Sequence, residues 1–312
     1  MKKAIVFLNM GAPRNLEEVE VFLRNMFNDK NIITVKSSLL RSYIANSIIS
    51  GRKGEATQSY EEIGGKSPLV EHTETFLSNV RKEFPEYEVI NIMRYTPPYA
   101  SSEVKWLKAK GVEDIVVIPL YAQYSTTTVK SSLEDFYEAL SDAKYSPNLR
   151  IYSRFYKNKT YNLAIIEQIK IALGDKEPKD FDLIFSAHSL PVKIIENGDS
   201  YKKETIENVE ILSQMLIDQN INFKNVHLAY QSKVGPMEWI EPSLENKFKS
   251  IINKKVIIYP ISFILDNSET EFELDIEYKE IAEEVGLEEY IVANCLNDSK
   301  LFIGAVRELV EG

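Results

Sequence analysis

What most constrains this chain is a rhythm of two patterns. Short runs rich in valine and isoleucine, apolar on both faces, alternate with amphipathic segments of helical period. The runs are Ala4–Asn9, Val89–Met93, Asp114–Leu120, Asp182–Ala187, Val226–Tyr230, Val256–Ile264 and Glu289–Ala293, with a weaker one at Leu149–Ser153. The helical patterns lie at Leu16–Phe27, Val70–Phe84, Ser101–Lys110, Ser131–Leu140, Tyr161–Leu173, Thr205–Asp218, Thr270–Val285 and Ser299–Val310. A strand without a polar face must be covered on both sides, and alternating helices supply that cover. Eight strands divide more naturally into two halves than they fit one sheet. The expected fold is therefore α/β: two Rossmann-like domains, each a four-stranded parallel sheet flanked by helices. The polar segment "SDAKYSPNLR", Ser141–Arg150, is the expected joint, giving domains 1–145 and 146–312.

Composition narrows the function classes. A chain of 312 residues, 44% hydrophobic, has ample material for two cores. A net charge of −10 argues against nucleic acid as a partner, because phosphate binding needs a basic face. One cysteine, Cys295, excludes a disulfide framework and a cysteine-ligated iron–sulfur cluster, and it suits a reducing cytoplasm. The opening "MKKAIVFLNMGAP" has too short an apolar run for a signal peptide, and no segment approaches 18 apolar residues. The expectation is a cytoplasmic protein.

In open α/β sheets, ligands bind beyond the carboxyl ends of the strands. The residues in that position are Asn9-Met10-Gly11, Arg94-Tyr95, Gln123 to Thr128, Ser186-Ala187-His188-Ser189, Gln231-Ser232-Lys233 and Asp266 to Glu269. His188 stands out as one of three histidines in the chain. It is either a strand-end histidine satisfied by backbone groups, or a metal ligand or proton acceptor, roles that neutral imidazole fills near pH 7. Serines 186 and 189 do not make a hydrolase, since the Gly-x-Ser-x-Gly elbow is missing. Glu269, Glu273 and Glu277 recur every fourth residue, so an α-helix would align three carboxylates on one face. That row is either a solvated acidic surface or, starting at a strand end, a binder of divalent cations or a proton relay. Asp266 or Ser268 would serve as N-cap. Nucleotide-binding glycine patterns are lacking, and "IGGKSPL" reads as a connector. From Lys30 to Gly54 the chain has five cations and no acid, with Leu40, Ile44 and Ile48 at helical spacing. Such a helix rests on an anionic membrane surface, forms the lip of a pocket, or packs on its own core.

Together these clusters resemble ferrochelatases, the class II chelatases that insert ferrous iron into a porphyrin. The likeness covers nearly the whole chain. It is carried by "LNMGAPRNLEEVEVFLRNMFND", "IGGKSPL", "MRYTPP", "IPLYAQYSTTT", "FSAHSLP", "YQSKVGPMEWIEPS" and "DNSETEFELDIEY", in the family's order. The resemblance implies a lyase of haem biosynthesis that needs no organic cofactor and takes Fe2+ as substrate. It implies His188 as the base or iron ligand, with Glu269 facing it across the porphyrin as the second catalytic group. Glu273 and Glu277 extend the metal- or proton-conducting row. Met10, Arg94 and Tyr95 line the porphyrin site, Arg24, Ser67 and Lys233 are candidates for the propionates, and segment 35–52 is a lip with peripheral membrane contact. The chain departs from the family pattern at Asn267, usually histidine, and at Glu271, Lys233, Thr96 and Ala122. Protoporphyrin IX is the expected substrate; coproporphyrin III, or binding of haem or porphyrin without turnover, are the alternatives. The sequence leaves the oligomeric state open.

Overall fold

The computed structural model describes residues 2–312. Eight strands form two separate sheets, all parallel. They are β1 (Lys2–Asn9), β2 (Tyr87–Met93), β3 (Val112–Pro119) and β4 (Asn148–Ile151) in the order β2-β1-β3-β4. In the second sheet, β5 (Asp182–His188), β6 (Asn225–Gln231), β7 (Lys255–Pro260) and β8 (Glu289–Val292) take the order β6-β5-β7-β8. The two-sheet α/β reading of the sequence is what the chain adopts. Every expected strand is present, within a few residues of its expected ends.

The chain divides into two compact units, one running to Ser153 and taking in Glu308–Gly312, the other Arg154–Arg307. The division thus falls later than the expected 145/146. Asn148–Ile151 pair with Asp114–Val117 as β4 and complete the first sheet, so a cut at 145 would sever an edge strand. The last five residues, expected with the second domain, belong to the first unit, where the Arg150 guanidinium donates to the Val310 carbonyl.

Within the first unit β1 is central and covered on both faces. Ala4, Val6 and Leu8 join the cluster of Val104, Leu107, Val117 and Phe136. From the alternate positions, the Phe7 ring meets that of Phe76 edge-on, with centroids 4.9 Å apart. Ala4 through Leu8 are all fully buried, and each large side chain among them contributes about 1.5–3 kcal/mol relative to exposure. In the second unit β5 has the same place: Ile184 packs with Ile258, Leu244, Phe248 and Leu274.

Two departures from the sequence reading bear on function. β7 stops at Pro260, although the apolar run continues to Leu265. Ile261, Ile264 and Leu265 are buried in a turn instead, so the run marks burial and not strand. The segment expected as one α-helix over 270–285 begins as a π-helix, Glu269–Glu277, and becomes α-helical only at Tyr278–Glu284. The basic segment forms a long helix, Ser38–Glu62, whose Ala45 and Ile49 pack on Val19, Phe22 and Leu23. Leu39, Leu40 and Tyr43 are left 84%, 50% and 74% exposed. No helix among the described residues is long and apolar enough to cross a membrane.

Candidate active site

The second unit gathers its chemistry at the carboxyl ends of β5 and β6 and at the start of the π-helix. His188 is the last residue of β5, in register with Gln231 at the end of β6. Glu269 is the first residue of the π-helix, and its backbone N–H donates to the Asn267 side-chain oxygen at 2.7 Å. Asn267 is thus the capping side chain, not Asp266 or Ser268. Asp266 instead accepts from the Cys295 N–H and from the Asn297 amide, fixing the turn ahead of the cap. The residue that departs from the family pattern therefore has a local structural role of its own.

His188 Nδ1 and Glu269 Oε2 are 2.9 Å apart, with side chains 35% and 28% exposed. The expectation that a porphyrin separates them is corrected: the two groups touch, and no ring fits between them. A carboxylate accepts from Nδ1–H, so the neutral imidazole is the Nδ1–H tautomer with its lone pair on Nε2. Burial is the largest influence on His188 and alone would lower its pKa. The charge and hydrogen bond of Glu269, helped by Glu273, outweigh it, and the net displacement is upward.

Glu273 stands one π-turn on. Its carboxylate accepts from the Ser232 hydroxyl and, at 3.1 Å, from the Gln231 amide. Gln231 also donates to the Glu269 carbonyl at 3.2 Å and accepts from Ser186 Oγ at 2.7 Å. Burial first, and then the charge of Glu269, push Glu273 up to about 7, even though Ser232, His188 and Gln231 pull the other way. Ser232 reaches the carboxylate from a left-handed backbone, φ 66°. For a residue with a Cβ that conformation costs about 1–2 kcal/mol, a strain of the kind that collects at working sites.

The remaining expected residues separate by unit. Glu277, the next carboxylate of the row and four residues beyond Glu273, is exposed. Among the described residues no three or more His, Cys, Asp or Glu side chains form a group able to hold a metal ion, so the expected four-residue metal set is not one preformed cage. Lys233 pairs with Glu241. In the first unit the loops after β1 and β2 are zipped together: Arg94 and Tyr95 N–H groups donate to the Asn9 and Met10 carbonyls, both at 2.8 Å. Arg94 lies 3.3 Å from Asp29, whose side chain is fully buried, and 3.5 Å from Asp135, while its Nε donates to Ser131 at 3.0 Å. Tyr95 is buried, and its hydroxyl donates to Asp29 at 2.9 Å. Ser67 is also buried, its hydroxyl accepting from Leu69 N–H. Arg24 is half exposed and bonded to Glu20 and Asn46. Tyr95 and Ser67 are therefore committed inside the protein, whereas Arg24 and part of Arg94 reach solvent.

Sequence reading found Gln231 and Ser232 only as members of a strand-end cluster. It gave no sign of Tyr201 or Ser262, whose hydroxyls bond the His188 peptide.

A ferrochelatase family model matches residues 2–312. Ferrochelatases of Sulfurimonas denitrificans and Nitratiruptor sp. are 53% and 50% identical over 309 residues, covering 99% of this chain and 98% and 99% of theirs. That of Helicobacter pylori strain G27 is 43% identical over 313 residues, 99% of this chain and 93% of its own. Two solved structures share the fold at low identity. SirB from Bacillus subtilis with Fe3+ has a TM-score of 0.59 and 12% identity, with coverage of 99% of this chain and 96% of its own. CbiX, described as the terminal enzyme for siroheme biosynthesis in denitrifying bacteria, has a TM-score of 0.54 and 10% identity, over 100% and 98%. With the parallel sheets, the strand-end histidine and the glutamate beside it, a match along the whole chain at this identity leaves one assignment: the protein belongs to the ferrochelatase family.

Proposed function

We propose that this protein inserts Fe2+ into protoporphyrin IX to give protohaem, with His188 and Glu269 as its proton-handling and iron-meeting pair. The reaction exchanges one Fe2+ for the two pyrrole N–H protons, so charge balances when both protons leave. A group that handles those protons must be basic near neutral pH and coupled to a second acceptor. The observation that carries the reading is the 2.9 Å contact between His188 Nδ1 and Glu269, with Glu273 one π-turn behind and pushed up to about 7. Nε2 is the nitrogen that receives a proton or meets iron, and Glu269 stabilises the imidazolium that results. Glu273, poised near neutrality, takes the proton onward. Met10 and Arg94 are proposed to contact the macrocycle, and Arg24 and Lys233 its propionates.

Anaerobic iron insertion followed by porphyrin absorbance tests this. His188→Ala and Glu269→Gln should each lower kcat by about 100-fold or more. Normal turnover in His188→Ala would remove the mechanism. Running both porphyrins separates protoporphyrin from coproporphyrin, and porphyrin binding without metal insertion in the wild type would establish a carrier.

The same reading places segment 35–52 against a membrane surface, where a free protoporphyrin partitions. Leu39, Leu40 and Tyr43 expose apolar area beside Lys36 and Arg41, as an interfacial helix does. Flotation with anionic vesicles should be lost in the triple variant Leu39→Ser, Leu40→Ser, Tyr43→Ser.

A further inference from the structure

We infer that Tyr201 and Ser262 are positioning residues, a pair of hydroxyls that closes a hydrogen-bonded ring on the His188 peptide and so fixes the imidazole against Glu269. The inference rests on the proposed role of His188 and adds to it what holds that residue in place.

The need for such a device follows from the sheet. In a parallel strand the N–H and C=O of every second residue face the same neighbour. The Ser186 carbonyl accepts from Ile261 N–H at 2.9 Å, on the β7 side. Two residues on, His188 turns its peptide groups to that same side. However, the β5–β7 pairing ends at Ser186 and Pro260, so the ladder offers His188 nothing there. An unpaired peptide group at a half-buried strand end is costly, and it would leave the catalytic backbone free to move.

Side chains replace the missing ladder. The His188 N–H donates to Ser262 Oγ at 3.0 Å. The Tyr201 hydroxyl donates to the His188 carbonyl at 2.9 Å. Tyr201 and Ser262 hydroxyl oxygens are 2.6 Å apart. Proton counting then fixes the direction of that last bond. Tyr201 has one hydroxyl proton, already given to the carbonyl, so Ser262 must donate to Tyr201. The ring runs one way round: His188 N–H to Ser262, Ser262 to Tyr201, Tyr201 to the His188 carbonyl. Each member both donates and accepts, the arrangement in which hydrogen bonds reinforce one another. Three separate stretches meet here: the end of β5, the turn after β7, and the start of the helix Tyr201–Asp218. Tyr201 is buried, which pushes its phenol pKa up and keeps the proton the ring requires.

The test uses the full chain and its three histidines, whose ring signals are few enough to assign by substitution. Tyr201→Phe, Ser262→Ala and Ser262→Thr are compared with wild type. Two readouts are taken at one fixed pH: hydrogen exchange of the His188 amide and the ring carbon–proton signal of His188. Anaerobic kinetics supply kcat and porphyrin KM. Tyr201→Phe and Ser262→Ala should lose amide protection and shift or broaden the His188 ring signal. Their kcat should fall about 10- to 100-fold, the scale of a small misplacement of a reacting group, with KM within about twofold. Ser262→Thr, which keeps the hydroxyl, should recover both. Wild-type protection and ring signal in a folded Tyr201→Phe or Ser262→Ala protein would overturn the inference. So would a kcat loss accompanied by an unchanged ring signal. If Tyr201→Phe does not fold, the two Ser262 variants decide. Should wild type insert no iron, the function proposed above fails, whereas the exchange and ring signals still decide the clamp.

Discussion

Replacing Glu273 with glutamine should make the protein more stable, and increasingly so as pH rises. In the folded chain this carboxyl is pushed up to about 7 from an ordinary 4.5, chiefly by burial and then by Glu269. A raised value means the native state holds the proton more tightly than the unfolded chain does. The resulting contribution to stability is complete below about 4.5 and is lost as pH climbs through about 7. At about 1.4 kcal/mol per unit, that displacement is on the order of 3 kcal/mol by pH 8. Glutamine has the same shape, keeps an acceptor for the Ser232 hydroxyl and never ionises. The stability difference between variant and wild type should therefore be small at pH 4.5 and widen by about 3 kcal/mol at pH 8. His188, also displaced upward and partly by Glu273, acts in the same direction. Urea denaturation of both proteins at half-unit steps would measure the gap. A gap constant to within about 0.5 kcal/mol across that range would mean the carboxyl titrates normally. The account of a proton acceptor poised near neutrality would then be wrong.

Other perturbations give equally definite outcomes. Gly11→Ala places a Cβ 2.2 Å from Thr96 Oγ1 at a φ of +82°, so the hydroxyl must leave its bond to Ala12 N–H. Strain and the orphaned donor together should cost about 2–5 kcal/mol, and less in a Thr96→Ala background; equal costs in both backgrounds would refute the steric reading. Asn267→Ala removes the cap on Glu269 N–H and should cost about 1 kcal/mol by urea denaturation, with Asn267→Asp recovering most of it. Asp29→Ala strips the buried partner from both Arg94 and Tyr95, and a loss of about 3–5 kcal/mol is expected, because Arg94 remains half-buried with Asp135 as its one remaining carboxylate partner.

The two sheets were legible because their strands are apolar on both faces; a stretch such as Ala4–Leu8 has no other stable home than the middle of a covered sheet. The strand-end rule likewise found His188, Gln231 and Ser232 without any contact information. It failed where burial and strand diverge, as at Ile261–Leu265, since an apolar run records exclusion from water and not the partner that excludes it. The winding of Glu269–Glu277 was hidden too. Carboxylates four residues apart fit an α-turn and a wider turn nearly equally well over so short a span. Nor does the sequence carry the touch between His188 and Glu269, 81 residues apart, or the ring through Tyr201 and Ser262. Tyrosine and serine are common, and only the end of β7 makes these two necessary.

The wide helix that opens with Glu269 makes chain length itself a determinant of this site. A π-winding is an α-helix that has accommodated surplus residues, so it survives only while the surplus is retained. Deleting a single residue between 270 and 272 would let the segment relax toward 3.6 residues per turn, displacing everything on one side of the cut by about 100° around the axis. Glu269 and Glu273 would then diverge, though neither had been altered. A lineage could exchange many side chains along this stretch and keep the enzyme, but the spacing tolerates no loss.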